Sequence, residues 1–173
     1  MKKEIIYNGR EYLWDGSNWY DSGYMKVETS VACNLDKIIH DELIEADKEI
    51  KNLDKLIDLI QKSRNAGYKA RSWRLLDQAL ELDPNHIGLM IIKSSMLRER
   101  GRPLEALEAT APYKSRNSSA LHTTRAAALC DLDRWEEAKS EISRALAINA
   151  SGEAFSVVRR IKVARSDLYE ESN

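Results

Sequence analysis

Three stretches of this chain repeat one form, and that self-similarity limits the folds open to it. "ARSWRLLDQALELDPN" (70–85) and "RWEEAKSEISRALAINAS" (134–151) run through small and apolar residues three or four apart to a polar turn, and "GRPLEALEATAPY" (101–113) is a shorter version. Ser72, Ala106 and Ala138 then share one equivalent position, and Ile60, Ser94 and Ala126 another, with offsets of 34 and then 32 residues. A period of that length marks stacked helix pairs, each unable to bury its apolar face alone.

The pattern resembles tetratricopeptide repeats, in which a helix A packs on a helix B through small residues where the two approach closely. On that resemblance the first repeat (53–86) has its helices at 53–65 and 69–82, ending in "LELDPN". The second (87–118) has them at 87–100 and 103–113, and the third (119–150) at 119–132 and 134–148. Residues 151–169 look like the extra helix that commonly caps such arrays. Ile60 and Ser94 stand where helix A usually has Gly or Ala, and Lys93 and Arg125 where it usually has Leu. These departures imply a divergent array with irregular packing. Pro112 ends the second helix B early and leaves "YKSRNSS" as a loop.

The fold class implied is mainly α: an α-α superhelix of three such pairs plus a capping helix. In the related family helix A lines a concave surface along which extended peptides lie. Carried over, that lining is Asp54, Ile57, Gln61, Arg64 and Asn65 from the first repeat, Ile91, Ser95, Arg98 and Glu99 from the second, Thr123, Ala127, Cys130 and Asp131 from the third, and Phe155, Arg159 and Lys162 from the cap. Its recurrent cations favour a partner peptide with acidic residues, because a guanidinium grips a carboxylate with two parallel hydrogen bonds. The lining departs from the Lys/Asn carboxylate clamp of chaperone-binding members, which disfavours a cochaperone.

The chain divides near Asn34 into 1–33 and 34–173. The first part alternates β-branched and aromatic residues with polar ones around Asn8-Gly9 and Asp15-Gly16, dipeptides suited to type I′ turns, and so predicts a small antiparallel meander. After Asn34, read as an N-cap, apolar residues from Leu35 to Ile60 recur every three or four positions with no Gly or Pro before Gly67. The direct reading is one long helix over 35–65. That stripe could also be a seam between two copies of the chain, so a homodimer is an expectation to test. Trp14, Trp19 and Tyr20 crowd into "EYLWDGSNWYD", which resembles a short bacterial W-D-G-x-x-W element appended to other domains. Two uses fit these rings: a lid docked on the long helix over apolar stripe the repeats leave open, or an exposed surface for a partner.

Charge and motif content exclude most chemistry. Lys plus Arg (27) and Asp plus Glu (28) leave a net charge of −1, so global attraction to nucleic acid or a membrane is not indicated. A nucleic-acid module stacking bases on the meander rings stays as the rival class, although Asp15 and Asp21 flank those rings. His40, His86 and His122 are far apart, and neither they nor Cys33 and Cys130 sit at metal-ligand spacing. No phosphate loop or nucleophile elbow occurs. The expectation is a non-enzymatic, cytoplasmic adaptor with protein partners and without metal or cofactor.

Overall fold

The structure, a computed structural model, describes residues 3–14 and 18–170, without the side chains of residues 3, 39, 40, 43, 169 and 170. Strands β1 (Lys3–Tyr7), β2 (Arg10–Trp14) and β3 (Trp19–Asp21) form an antiparallel sheet in the order β1-β2-β3. Helices follow: α1 (Thr29–Lys48), α2 (Leu53–Asn65), α3 (Lys69–Leu82), α4 (Ile87–Glu99) and α5 (Pro103–Thr110), the last running into a 3-10 turn over Ala111–Tyr113. Then come α6 (Ser119–Asp131), α7 (Trp135–Ile148), α8 (Gly152–Ala164) and α9 (Asp167–Glu170).

Helices α2/α3, α4/α5 and α6/α7 are the three A/B pairs. All six residues placed by the repeat offsets, Ser72, Ala106, Ala138, Ile60, Ser94 and Ala126, are buried. Two further positions carry the same period. Asn52, His86, Ser118 and Ser151 each cap an A-type helix by accepting from the backbone N–H three residues on, while α3, α5 and α7 have no side-chain cap. Gly67, Gly101 and Asp133 follow α2, α4 and α6 at positive φ. Each closes its helix with paired backbone bonds, as in Gly101 N–H to Arg98 C=O (2.8 Å) and Arg102 N–H to Leu97 C=O (3.0 Å). A helices α4, α6 and α8 pack on one another more closely than the B helices do, which curves the array with its A side innermost.

Arg125, at a position where the repeat pattern favours Leu, is accommodated by a buried polar cluster. Its Nε lies 3.3 Å from Glu141 Oε1, its Nη1 donates to Thr110 Oγ1 (3.1 Å), and His122 Nδ1 sits 2.7 Å from Glu141 Oε2. Each of these buried groups thus has a partner, which is the condition for keeping charge inside a helical core.

Several expectations are corrected. The single helix over 35–65 is two helices, and the first begins at Thr29 behind Glu28, so Asn34 is not its cap. The cause is tertiary. Asp47, 2% exposed, takes two hydrogen bonds from Arg71 (2.8 and 2.9 Å) and one from Arg74 (2.7 Å). Gln78 Nε2 meets the carbonyls of Asp47 (2.9 Å) and Ile50 (2.8 Å) released where α1 stops, and Asn52 caps α2. The capping helix expected over 151–169 likewise breaks at 165–166 between α8 and α9.

The first hairpin turn is as the sequence predicts, with Asn8 and Gly9 at φ 52° and 74° and Tyr7 paired with Arg10. The second, at Asp15-Gly16, lies outside the described residues. The sheet does not cover the repeats. It packs Ile5, Tyr12 and Trp19 on Leu35 of α1, with Val31, Ala32 and Ile38 at the margin. A division of the chain at Asn34 would cut through this small core. Trp19 is 2% exposed, its Nε1 donating to Asp36 Oδ1 (2.8 Å) and its ring 5.3 Å from that of Trp14, so it is a core residue and not part of an aromatic surface. Trp14 and Tyr20 are half-buried.

Candidate functional site

The concave side of the array holds an open groove of about 450 Å³ lined by Arg64, Ser95, Arg98, Glu99, Gly101, Pro103 and Asp131. The C-terminal turns of α2, α4 and α6 supply most of it, because the shared closing turn brings the last residues of each A helix to one edge.

Acid–base pairs run along this groove from repeat to repeat. Arg64 of α2 bonds Glu99 of α4, and Arg98 of α4 bonds Asp131 of α6 (Nε to Oδ2, 2.6 Å). Arg160 of α8 reaches the same carboxylate (Nη1 to Oδ1, 2.5 Å). Arg64 and Arg98 are 34 residues apart and Glu99 and Asp131 are 32 apart, the offsets of the repeat itself. Two of the cations predicted to grip a partner, Arg64 and Arg98, are therefore already engaged by acids of the neighbouring A helix. Such part-exposed pairs are individually worth about 0–1 kcal/mol, so a partner's carboxylate can compete for them. At Asp131 two guanidinium groups share one carboxylate, which leaves local positive charge in excess.

Of the predicted lining, Arg64, Ser95, Arg98, Glu99 and Asp131 are brought together in this groove, whereas Cys130 is buried and Asp54 and Phe155 are exposed away from it. Ile57 and Ile91 are half-buried about two turns before Arg64 and Arg98 along α2 and α4, and Gln61 and Asn65 are exposed. Thr123 (7% exposed) and Ala127 (6%) are buried in the packing of α6 and cannot line it. Arg159 and Lys162 are exposed, but the cap side chain bonded at the groove is Arg160. The missed signal was the 33-residue step from cap Ser118 to cap Ser151, which differs by one from the preceding step and turns a helix by about 100°.

Cys33 is exposed and Cys130 buried, and neither forms a disulfide. Burial pushes the Cys130 thiol pKa upward, against the pull of Arg160, so this sulfur is held as an inert core thiol. Among the described residues no group of three or more His, Cys, Asp or Glu side chains could hold a metal ion, and no helix is long and apolar enough to cross a membrane.

No family model matches the chain, and no curated protein matches it. Solved structures do. The first TPR domain of human RPAP3 superposes with a TM-score of 0.59 at 22% identity, over 70% of this chain and 97% of that one. A tetratricopeptide repeat protein from Parabacteroides merdae gives 0.58 at 18% identity over 79% of this chain, which spans 59% of that protein's length. MamA from residue 41 to its end, from Desulfovibrio magneticus, gives 0.56 at 16% identity, over 67% of each chain. At these identities the likeness is one of fold, and the fold is a tetratricopeptide-type α-superhelix carrying a small N-terminal sheet.

Proposed function

We propose that this chain is a non-enzymatic adaptor that holds a segment of another protein in the groove between α2, α4, α6 and α8. The observation that carries the reading is the recurrent Arg–acid geometry along the A helices, which ends in two arginines sharing Asp131. An acidic residue of the partner would take the unshared capacity of Arg98 and Arg160, while the chain on either side lies over Ser95, Ile91, Gln61 and Ile57. Protein partners are what the fold favours; acidity is the added claim. Cytoplasmic location belongs to this reading and is supported by the two free thiols. The nucleic-acid alternative loses a stacking platform with the burial of Trp19.

Affinity capture from host lysate tests it, with wild type beside Ser95→Trp, which fills the groove without replacing any residue of the ion pairs. After circular dichroism shows both to be folded, a protein retained by wild type and lost from Ser95→Trp supports the groove. Equal retention by both contradicts it. If the segment is acidic, neutralising its acidic residue weakens binding by roughly tenfold, since one charge-assisted bond is worth about 1.4 kcal/mol.

A further inference from the structure

Among the described residues, no B helix packs on the A-type helix α8 as α7 packs on α6. Shifting α6 by the 33 residues that separate caps Ser118 and Ser151 carries His122, Ala126 and Cys130, all buried, onto Phe155, Arg159 and Val163. In α6 these positions are enclosed by neighbouring helices. In α8 they face solvent: Phe155 is 54% and Val163 84% exposed, and Arg159 is exposed between them. Among the described residues α8 is followed by the four-residue α9. Spaced i, i+4 and i+8, the three side chains form a single stripe, apolar, cationic, apolar.

The described chain contains a helix of complementary chemistry. Within α1, Asp36, Asp41, Glu42, Glu45 and Asp47 outweigh Lys37 and Lys48, whereas within α8 Arg159, Arg160 and Lys162 outweigh Glu153. Asp36 is bonded to Trp19 and Asp47 is buried, but Asp41 and Glu45 are exposed and flank half-buried Ile44 on one face, Glu45 in an exposed pair with Lys48 (2.6 Å) that a partner's cation can compete for. That face presents acid, apolar, acid. The meander occupies the first half of α1 and the Arg71/Arg74 clamp its last turn, and between them the described side chains of Asp41, Glu42 and Glu45 are exposed.

We propose that the Phe155–Arg159–Val163 face of α8 docks the middle of α1 from a second copy of this chain, placing Arg159 between Asp41 and Glu45 and Ile44 against the two apolar residues. The contact joins two different faces, so the rotation between copies sets whether it closes as a reciprocal pair or a ring or runs on as a row. It uses Arg159 and not the groove's Arg160, and self-association is read without any partner, so its failure is distinguishable from failure of the groove reading.

Sedimentation velocity on the full chain tests this with two variants, each checked for wild-type melting. Phe155→Ser with Val163→Ser removes the α8 face, and Asp41→Lys with Glu45→Lys removes the α1 face while leaving no new attraction to Arg159. Wild type associates increasingly with concentration and less at high salt, each variant alone is monomeric, and an equimolar mixture forms a one-to-one dimer, because one intact face of each kind remains. Three results would overturn the proposal. These are wild type that stays monomeric to about 1 mM, beyond which affinity is negligible; self-association of the Phe155/Val163 variant, which marks a symmetric α1 contact; or a mixture that remains monomeric.

Discussion

Arg98 and Asp131 repeat, one unit along the array, the relationship of Arg64 to Glu99: the arginine near the end of one A helix bonds the acid that closes the next. This coupling joins consecutive repeats on the side where a partner would lie. The two side chains of the second pair are each 24% exposed, so the pair is worth little by itself. Asp131→Asn should cost about 1 kcal/mol in urea denaturation, more than an isolated exposed pair, because Arg160 loses its acceptor as well. A double-mutant cycle with Arg98→Gln should return a coupling of about 0.5 kcal/mol. Strictly additive costs would show that the contact does not hold the repeats together.

Gly101 and Asp133 occupy the same closing turn at φ 72° and 56°, and predict opposite effects of substitution. A Cβ at Gly101 meets nothing within 4 Å, so Gly101→Ala costs only the left-handed backbone strain, about 1 kcal/mol. Asp133→Gly relieves that strain and should stabilise by about 0.5 kcal/mol, part of the relief being offset by unfolded-state entropy. Thermal denaturation of the two variants reads the signs directly. A shift in the same direction for both would contradict the shared geometry.

At Asp47, burial pushes the carboxyl pKa up, but the hydrogen bonds from Arg71 and Arg74 outweigh it and hold the group below its ordinary range. Its contribution is therefore fully present above the unfolded-state value of about 4 and is lost as pH falls through the lower folded value. Asp47→Asn should cost about 2 kcal/mol at neutral pH, less than a fully enclosed pair because both arginines keep some access to water. The gap to wild type should shrink on acidification below about pH 4. Equal gaps at pH 7 and in acid would refute the clamp.

Trp19→Ala should cost about 3–5 kcal/mol within the small N-terminal core. The loss should stay local, since Trp19 packs with Leu35 and bonds Asp36 and makes no part of the cores between the helix pairs. Hydrogen exchange should accelerate through β1–β3 and the first half of α1 and leave α4–α7 unchanged. Uniform acceleration would mean that the sheet also braces the repeats.

Where the fold was legible, it was legible through period. Ile60, Ser94 and Ala126 share an environment although their side chains differ, and only the 34- and 32-residue offsets reveal it. The break between α1 and α2 was hidden because the apolar spacing runs through it without Gly or Pro. The helix stops there to seat Asp47 between two arginines of α3, a choice made by tertiary structure with Asn52 as its one local trace. The groove was legible in outline. Arg64, Ser95, Arg98, Glu99 and Asp131 all follow from the repeat register, whereas the pairing of each acid with an arginine of the preceding A helix emerged only once adjacent helices were set side by side. Thr123 and Ala127 failed for the same reason, because the pattern gives the phase of a helix but not how closely its neighbours crowd that phase.

The most direct test of the central claim places a photo-crosslinking residue at Ser95 in the groove and, separately, at Ser143 on the exposed side of α7. Crosslinking in the host should yield the same protein adduct repeatedly from position 95, through a segment with an acidic residue, and none of that adduct from position 143. If position 143 captures that protein and position 95 does not, partner binding belongs to the convex side and the adaptor account given for the groove is wrong.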